Sequence, residues 1–411
     1  MQCGLLGRKL GHSYSPQIHS QLGDYEYTLI EKEPEELADF FLIGDFTGLN
    51  VTIPYKKDVI PFCAELSPRA KTIGAVNTIV RRPNGTLIGH NTDYYGFETM
   101  LTHSTLCVSG KKVLVLGSGG ASNTAVQVLK TRGANVIVIS RSGENNYDNL
   151  NLHKDAAVIV NATPVGMYPN TGISPVDLSQ FPYLEGVLDL IYNPARTKLL
   201  MDAENRGLIT ENGLRMLVAQ AKESAEWFTG SKIPDSAVED IHNQLKRQME
   251  NIILVGMPGS GKSSVGRTLA EHTGKRFTDA DLLIQELAGK PIPEIFSQDG
   301  EEQFRQLETR ALEILGKESN TVIATGGGCV TRQRNYEPLH QNGKILWLQR
   351  DINKLPTVGR PLSQSGKLSH MYEDRKPMYE SFADCIIDNN GSITNAVKLI
   401  CKEAGYEDIG N

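Results

Sequence analysis

The chain has 411 residues, 39% of them hydrophobic and 22% charged, with a formal net charge of −6. That length predicts about two or three domains, and the composition is that of an ordinary soluble globular protein. An acidic balance without a long basic run excludes nucleic acid as a main partner, so anionic substrates must be met by local cations. Six scattered cysteines (Cys3, Cys63, Cys107, Cys329, Cys385, Cys401) form no C-x-x-C pair, which reads as reduced cytoplasmic thiols rather than a zinc site or a disulfide frame. No basic-then-apolar segment opens the chain, and no apolar run approaches the roughly 18 residues of a membrane span. A cytoplasmic location with no membrane partner is expected.

Cys3 to Leu6 predicts a first short strand. Gly11-His-Ser-Tyr-Ser-Pro16 is a hydroxyl-rich turn, and a helix is expected from Ile18 to Leu22. Ser13 and Ser15 lie two apart, so in an extended segment both hydroxyls face one way and can hold a carboxylate. The same pair also reads as a helix N-cap followed by proline. In Gly48-Leu-Asn-Val-Thr-Ile-Pro-Tyr-Lys56, Val51 and Ile53 alternate with Asn50 and Thr52, which suggests a strand end with one polar face. Pro54 stops it and delivers Lys56 into a loop, where a lone lysine is usually a solvated surface charge. Gly74-Ala-Val-Asn77-Thr precedes a strand, and Gly89-His-Asn-Thr-Asp93 follows another. Three polar motifs at strand ends point to one site at a sheet edge.

These motifs resemble those of shikimate dehydrogenase: the Ser-x-Ser-Pro turn, Asn-Val-Thr-x-Pro-x-Lys, Gly-Ala-Val-Asn-Thr and Asn-Thr-Asp, in that family's order. The resemblance implies that Ser13 and Ser15 hold the substrate carboxylate. It places Thr52, Asn77 and Asp93 on ring hydroxyls and makes Lys56 and Asp93 the catalytic pair. Ketone reduction needs such a pair: an ammonium stabilises the developing alkoxide and donates a proton, and a carboxylate keeps that ammonium placed.

Lys112 to Leu116 is an apolar strand, Gly117-Ser-Gly-Gly-Ala-Ser122 a glycine-rich turn, Thr124 to Thr131 a helix and Gly133 to Ile139 a second strand. This is the dinucleotide-binding βαβ unit, with Ser122 at the third glycine position. Gly117, Ser118, Gly119, Gly120 and Ala121 are its candidate cofactor contacts. The second strand ends in Ser140-Arg141-Ser142. With no carboxylate to repel a 2′-phosphate and a guanidinium to bind one, NADP(H) is favoured over NAD. The family usually has Asn-Arg-Thr here and a second basic residue three positions on, where this chain has Glu144 or Asn145. Asn161-Ala-Thr-Pro-Val-Gly-Met167 and Asp189-Leu-Ile-Tyr192 each close a further strand, and Glu211 to Ala221 begins a helix. By resemblance Tyr192 and Gln220 contact substrate and Leu190 and Gly213 flank the nicotinamide; read without it, Tyr192 and Gln220 are buried, satisfied polar groups. Met216 and Leu217 read as core.

After a break at Gly230-Ser-Lys-Ile-Pro234 and a helix from Ala237 to about Gln248, the linker is only a few residues, with no flexible tether. Ile252 to Val255 then leads into Gly256-Met-Pro-Gly-Ser-Gly-Lys-Ser263 and a helical pattern. Strand, glycine loop, Lys-Ser and helix form a phosphate-binding loop. Gly259, Ser260 and Gly261 bring backbone N–H groups to phosphate oxygens. Lys262 reaches the terminal phosphates, and Ser263 can ligate Mg²⁺. Asp279 and Asp281, two apart at a strand end, can serve Mg²⁺ and orient a hydroxyl nucleophile, or form a surface acidic turn. Gly300-Glu-Glu-Gln-Phe-Arg305 opens a helix that leaves Arg305 free to face a carboxylate. Gly326 to Gly328 allows close backbone approach by a ligand. Arg360-Pro-Leu362 and Arg375-Lys-Pro-Met-Tyr379 bracket a lid-like segment.

This half resembles shikimate kinase. The resemblance implies that ATP meets residues 259–264, including Ser264, together with Arg360. It puts shikimate on Asp281, Arg305, Gly327 and Arg375, and metal at Ser263 and Asp279. Lys262 and Arg360 offset charge on the phosphoryl group, and Asp281 positions or deprotonates the hydroxyl. The family's adenine-side arginine before Arg-Pro-Leu has no counterpart in Asp351 to Pro356 beyond Lys354, and Asp388-Asn-Asn-Gly391 stands where a basic residue is usual. Adenine is then held more weakly or by other contacts.

The expected fold class is α/β. A substrate domain (1–105, with helices at about 212–248 packing back on it) precedes a Rossmann NADP-binding domain (106–211) and a P-loop NTPase domain of nucleoside monophosphate kinase type (251–411). The expected function is bifunctional: 3-dehydroshikimate plus NADPH gives shikimate, and MgATP then gives shikimate 3-phosphate. The alternatives are an NAD-preferring quinate/shikimate dehydrogenase fused to a kinase, or one half serving as a non-catalytic binding module. Self-association into a homo-oligomer stays open.

Overall fold

The computed structural model describes residues 1–11, 13–355 and 367–406. It divides into two compact units. The first comprises Met1–Met167, Ile173–Tyr192 and Leu199–Gln244; the second comprises Tyr168–Gly172, Asn193–Lys198 and Leu245–Asn411. Among the described residues no helix is long and apolar enough to cross a membrane.

The first unit holds two sheets. Its first sheet contains β1 (Gln2–Gly7), β2 (Glu26–Glu31), β3 (Gly48–Val51), β4 (Glu65–Leu66), β5 (Thr78–Arg81) and β6 (Leu87–His90), in the order β2-β1-β3-β5-β6-β4. β5 runs antiparallel to both β3 and β6, with Asn50 opposite Thr78 and Thr78 opposite His90. The chain therefore leaves β3, enters β5 and leaves β6 at one edge. All four residues of β3 are buried, so the expected polar face is an interior one. Asn50 is satisfied there by Ser224 Oγ at 2.8 Å and the Tyr27 hydroxyl at 2.8 Å.

The second sheet is wholly parallel: β7 (Lys112–Leu116), β8 (Asn135–Ile139), β9 (Val158–Asn161), β10 (Gly186–Asp189) and β11 (Ile209–Asn212), in the order β11-β10-β9-β7-β8. Successive residues of β7 enter different cores, Val113 and Val115 one and Leu114 and Leu116 the other. That is the pleat of a strand covered on both faces, and it explains the unbroken apolar run. In register, Ile139, Leu116, Asn161, Asp189 and Asn212 form one row across the carboxyl edge.

The second unit repeats this logic with β12 (Asn251–Val255), β13 (Arg276–Asp279), β14 (Thr321–Ala324), β15 (Gly343–Gln349) and β16 (Cys385–Asp388), all parallel, in the order β13-β14-β12-β15-β16. Ile253 and Val255 face one core, Ile252 and Leu254 the other.

Several helix starts differ from expectation. The first helix is Ser15–His19; Ser15 is its first residue and not its cap, since Tyr14 holds that place without a side-chain cap bond. The helix after β7 is Gly120–Thr131, beginning within the glycine turn, where the Ser122 hydroxyl donates to the Gly117 carbonyl at 2.7 Å. Glu211 and Asn212 close β11, and helix Leu214–Thr229 follows Gly213; the pairing of β11 with β10 overrides a local pattern that reads as helix. Helix Leu214–Thr229 packs against helices Asp93–His103 and Ser15–His19 of the first layer. Asp279 ends β13 and accepts the Asp281 N–H at 3.1 Å as N-cap of helix Ala280–Ala288, so Asp281 sits on that helix rather than on a strand.

The buried Lys275 ammonium is surrounded by oxygens. It donates to the carbonyls of Arg247 (2.8 Å), Gln248 (3.3 Å) and Glu250 (2.7 Å), at the end of helix Ser236–Met249, and to Asn320 Oδ1 at 3.3 Å. Replacing it leaves buried carbonyls without a donor, at about 1–3 kcal/mol for a group so stranded. Lys275→Met is therefore expected to lower the urea midpoint of the second unit, measured by tryptophan fluorescence of the buried Trp347.

Candidate active sites

A cavity of about 310 Å³ opens at the edge shared by β3, β5 and β6, and it gathers every residue expected to hold the first substrate. Ser13 and Ser15 come from the turn after β1, with the Ser15 N–H donating to Ser13 Oγ at 3.2 Å. Thr52 and Lys56 follow β3, Asn77 precedes β5, and Asp93 opens helix Asp93–His103. Lys56 Nζ donates to Asp93 Oδ2 at 2.5 Å, with the side chains 20% and 9% exposed. Asn77 is fixed by the Thr92 N–H at 2.7 Å and the Thr92 hydroxyl at 3.0 Å. Gln220 Nε2 is tied to the Leu217 carbonyl of its own helix at 2.9 Å. Burial, reinforced by Tyr14, raises the Tyr192 phenol above its usual range.

Met216 and Leu217, expected in the core, also line this cavity, and Met216 is buried as well. Asn50 was missed as a site residue. It is buried in the cavity wall, and its position follows from its register with Thr78.

A larger cavity of about 920 Å³ lies along the carboxyl edge of the parallel sheet. Gly117, Ser118, Gly119, Gly120 and Ala121 line it after β7, Ser140 and Arg141 after β8, and residues 162–165 after β9. Each segment begins one residue past the common row. Leu190 and Gly213, one past that row on β10 and β11, line the smaller cavity instead. Lys56 and Ala121 line both cavities, so the two adjoin at these residues. Arg141 is exposed beside Tyr147, whose phenol burial pushes up and Arg141 pulls down. Ser142 is exposed and not part of this wall. Ile53, Pro54 and Lys57 also line it, as do Tyr147, Ser174 and Pro175, which carried no motif.

In the second unit a cavity of about 720 Å³ surrounds the phosphate loop. Gly259 (φ +87°) and Gly261 (φ +92°) adopt the left-handed backbone that lets the loop curl before helix Lys262–Thr273. Lys262 is buried, donating to the carbonyls of Gly256 (2.9 Å) and Met257 (3.1 Å). Ser263 Oγ donates to Asp279 Oδ2 at 2.6 Å, so an oxygen donor pair suited to a hard cation is assembled. Gly259, Gly261, Ser263, Ser264, Asp279 and Asp281 all face the cavity. Ser260 does not: it is fully buried behind the loop, with its carbonyl held by Asn389 Nδ2 at 2.5 Å.

Arg305 is not free. It is buried and paired with Glu308 at 2.8 Å and Glu301 at 3.2 Å, because both acids lie within one turn of it on helix Gly300–Leu315. These carboxylates hold the guanidinium's pKa above its ordinary value despite burial. Glu308 is wholly buried; burial raises its carboxyl, with the Arg305 charge opposing. Gly328 permits this arrangement, since a Cβ there would fall within 2.5 Å of both Arg305 Nη atoms. Arg375 donates to the Gly327 carbonyl at 3.1 Å. Glu308 and Arg350 line the cavity and were missed. Arg360 and the Arg-Pro-Leu lid lie outside the described residues.

A family model described as the shikimate dehydrogenase substrate binding domain matches residues 5–79, and one described as shikimate kinase matches residues 258–404. A shikimate dehydrogenase (NADP(+)) of Clostridium perfringens is 37% identical over 266 residues, spanning 59% of this chain and 97% of that protein. Among solved structures, shikimate dehydrogenase 1 of Peptoclostridium difficile is 40% identical, with a TM-score of 0.55, covering 60% of this chain and 97% of that one. A chorismate mutase/shikimate 5-dehydrogenase fusion protein of Clostridium acetobutylicum is 38% identical over the same shares, with a TM-score of 0.56. The chain belongs to the shikimate dehydrogenase family and carries, after that region, a shikimate kinase domain.

Proposed function

We propose that this chain reduces 3-dehydroshikimate to shikimate with NADPH and then phosphorylates shikimate with ATP to shikimate 3-phosphate. The observation that carries the first step is the Lys56–Asp93 contact, inside the small cavity and on the wall it shares with the cofactor cleft. Nicotinamide, when bound, supplies the hydride. Ser13 and Ser15 hold the substrate carboxylate, and Thr52, Asn77 and Gln220 hold ring hydroxyls. Lys56 stabilises the developing alkoxide and delivers a proton to it, while Asp93 keeps the ammonium in place. Arg141 meets the 2′-phosphate that distinguishes NADPH.

In the second unit the Ser263–Asp279 pair supports a Mg²⁺ site, where the ion would neutralise phosphate charge. Asp281 lies beside Gly326 on the cavity wall and orients the attacking hydroxyl. Arg305 and Arg375 clamp the carboxylate of shikimate, and Lys262 offsets charge on the phosphoryl group in transfer.

Two substitutions test the steps separately. Lys56→Ala is expected to lower kcat for 3-dehydroshikimate reduction by about a hundred- to ten-thousandfold with a much smaller change in KM, and to leave phosphorylation of added shikimate intact. A rise in KM with kcat unchanged would give Lys56 a binding role only. Asp279→Asn is expected to raise the Mg²⁺ concentration needed for half-maximal phosphorylation while leaving NADPH oxidation unaltered. An unchanged Mg²⁺ titration would remove Asp279 from the metal site.

A further inference from the structure

Arg350 follows the last residue of β15, and β15 lies beside β12 with Trp347 opposite Val255. The Leu348 carbonyl is 2.7 Å from where a Cβ on Gly256 would stand. The chain thus leaves β15 against the phosphate loop, on the side of β12 away from Asp279. Arg350 Nη1 is 3.7 Å from the Cβ position of Gly261, and the residue lines the same cavity as Lys262. Its Nε is buried without a hydrogen-bond partner among the described residues. Acids near it in the chain and on the adjoining strand are engaged elsewhere. Asp351 accepts the N–H (2.9 Å) and Nδ2 (3.1 Å) of Asn353. Asp388 accepts the N–H (3.1 Å) and Nδ2 (2.7 Å) of Asn390. Lys354, on the same wall, donates to the Asn390 carbonyl at 3.3 Å.

A guanidinium with a desolvated nitrogen and no carboxylate partner among the described residues, beside a loop that gathers anions, is short of an anionic acceptor. We infer that Arg350 binds the phosphate chain of the nucleotide from the β15 side of the loop. It supplies a fixed cation on a wall where Asp388-Asn-Asn-Gly391 offers none. The inference rests on the kinase reading and adds to it a residue that neither the phosphate-loop motif nor the lid contains. Asn389, one residue past β16, grips the Ser260 carbonyl and holds the loop close to this side chain.

The test uses the intact chain. R350A is expected to raise KM for ATP about tenfold, the scale of one charge-assisted contact, with KM for shikimate changed by less than about twofold. Binding of inorganic tripolyphosphate, measured by calorimetry without substrate, weakens by the same factor, and R350K recovers part of it. NADPH-dependent reduction by the same variant stays at the parent level and reports that the first unit is intact, while an unchanged KM for shikimate reports the same of the second. Unchanged tripolyphosphate affinity overturns the inference, whether or not KM for ATP rises, because a loss confined to ATP assigns the side chain to the base. Equal losses for ATP and shikimate also overturn it, since they mark a disturbed fold. If the parent binds tripolyphosphate and R350A does not, yet the parent phosphorylates nothing, the kinase reading fails and the phosphate contact stands.

Discussion

Parallel strands in register end together, and that constraint places nearly all the chemistry of this chain. In the dinucleotide sheet, Ser140, Gly117, Ala162, Leu190 and Gly213 each stand one residue past a single row of paired strand ends. In the second unit the phosphate loop, Thr325 and Arg350 follow the ends of β12, β14 and β15, and Asp279 is itself the last residue of β13. The first sheet reaches the same result with one reversed strand, because β5 begins where β3 and β6 finish. Binding at the carboxyl edge of an open α/β sheet follows from this geometry: side chains and helix N-termini converge there, while the apolar strands below remain packed on both faces.

The electrostatics follow from the same placement. The chain is acidic overall, yet its proposed ligands are carboxylates and phosphates. Each cavity therefore carries its own cations: Lys56 in the smaller, Arg141 in the cofactor cleft, and Lys262, Arg305, Arg350 and Arg375 around the phosphate loop. Where such a cation already has a carboxylate partner, as Lys56 and Arg305 do, its position is set before a ligand arrives. A preset charge costs little reorganisation when a substrate charge develops, and this favours catalysis over mere retention.

Much of this was legible in the sequence, because residue spacing in strand-end motifs maps directly onto strand-edge geometry. The strand-end motifs that line the small cavity and the phosphate loop are read this way. What was missed depended on long-range pairing or on burial. Arg350 is a lone cation after a strand until β15 is known to adjoin β12. Glu308 lies past the Gly300–Arg305 motif, yet its helix turns it toward the glycine loop, where a Cβ on Gly326 would stand 2.7 Å from its Oε1. Glu211 and Asn212 resemble a helix start because β11 is a polar edge strand whose identity comes from its partner β10. Arg305 was expected free because sequence spacing names possible partners but not which of them a buried guanidinium must take.

In the proposed function both sites turn over and act in series. The direct measurement gives the intact protein 3-dehydroshikimate, NADPH and MgATP and follows NADPH oxidation and ADP release together. Series action predicts that both signals appear and that ADP release requires NADPH. NADPH oxidation with no ADP release, even after shikimate is added, would contradict it and leave the second unit a binding module.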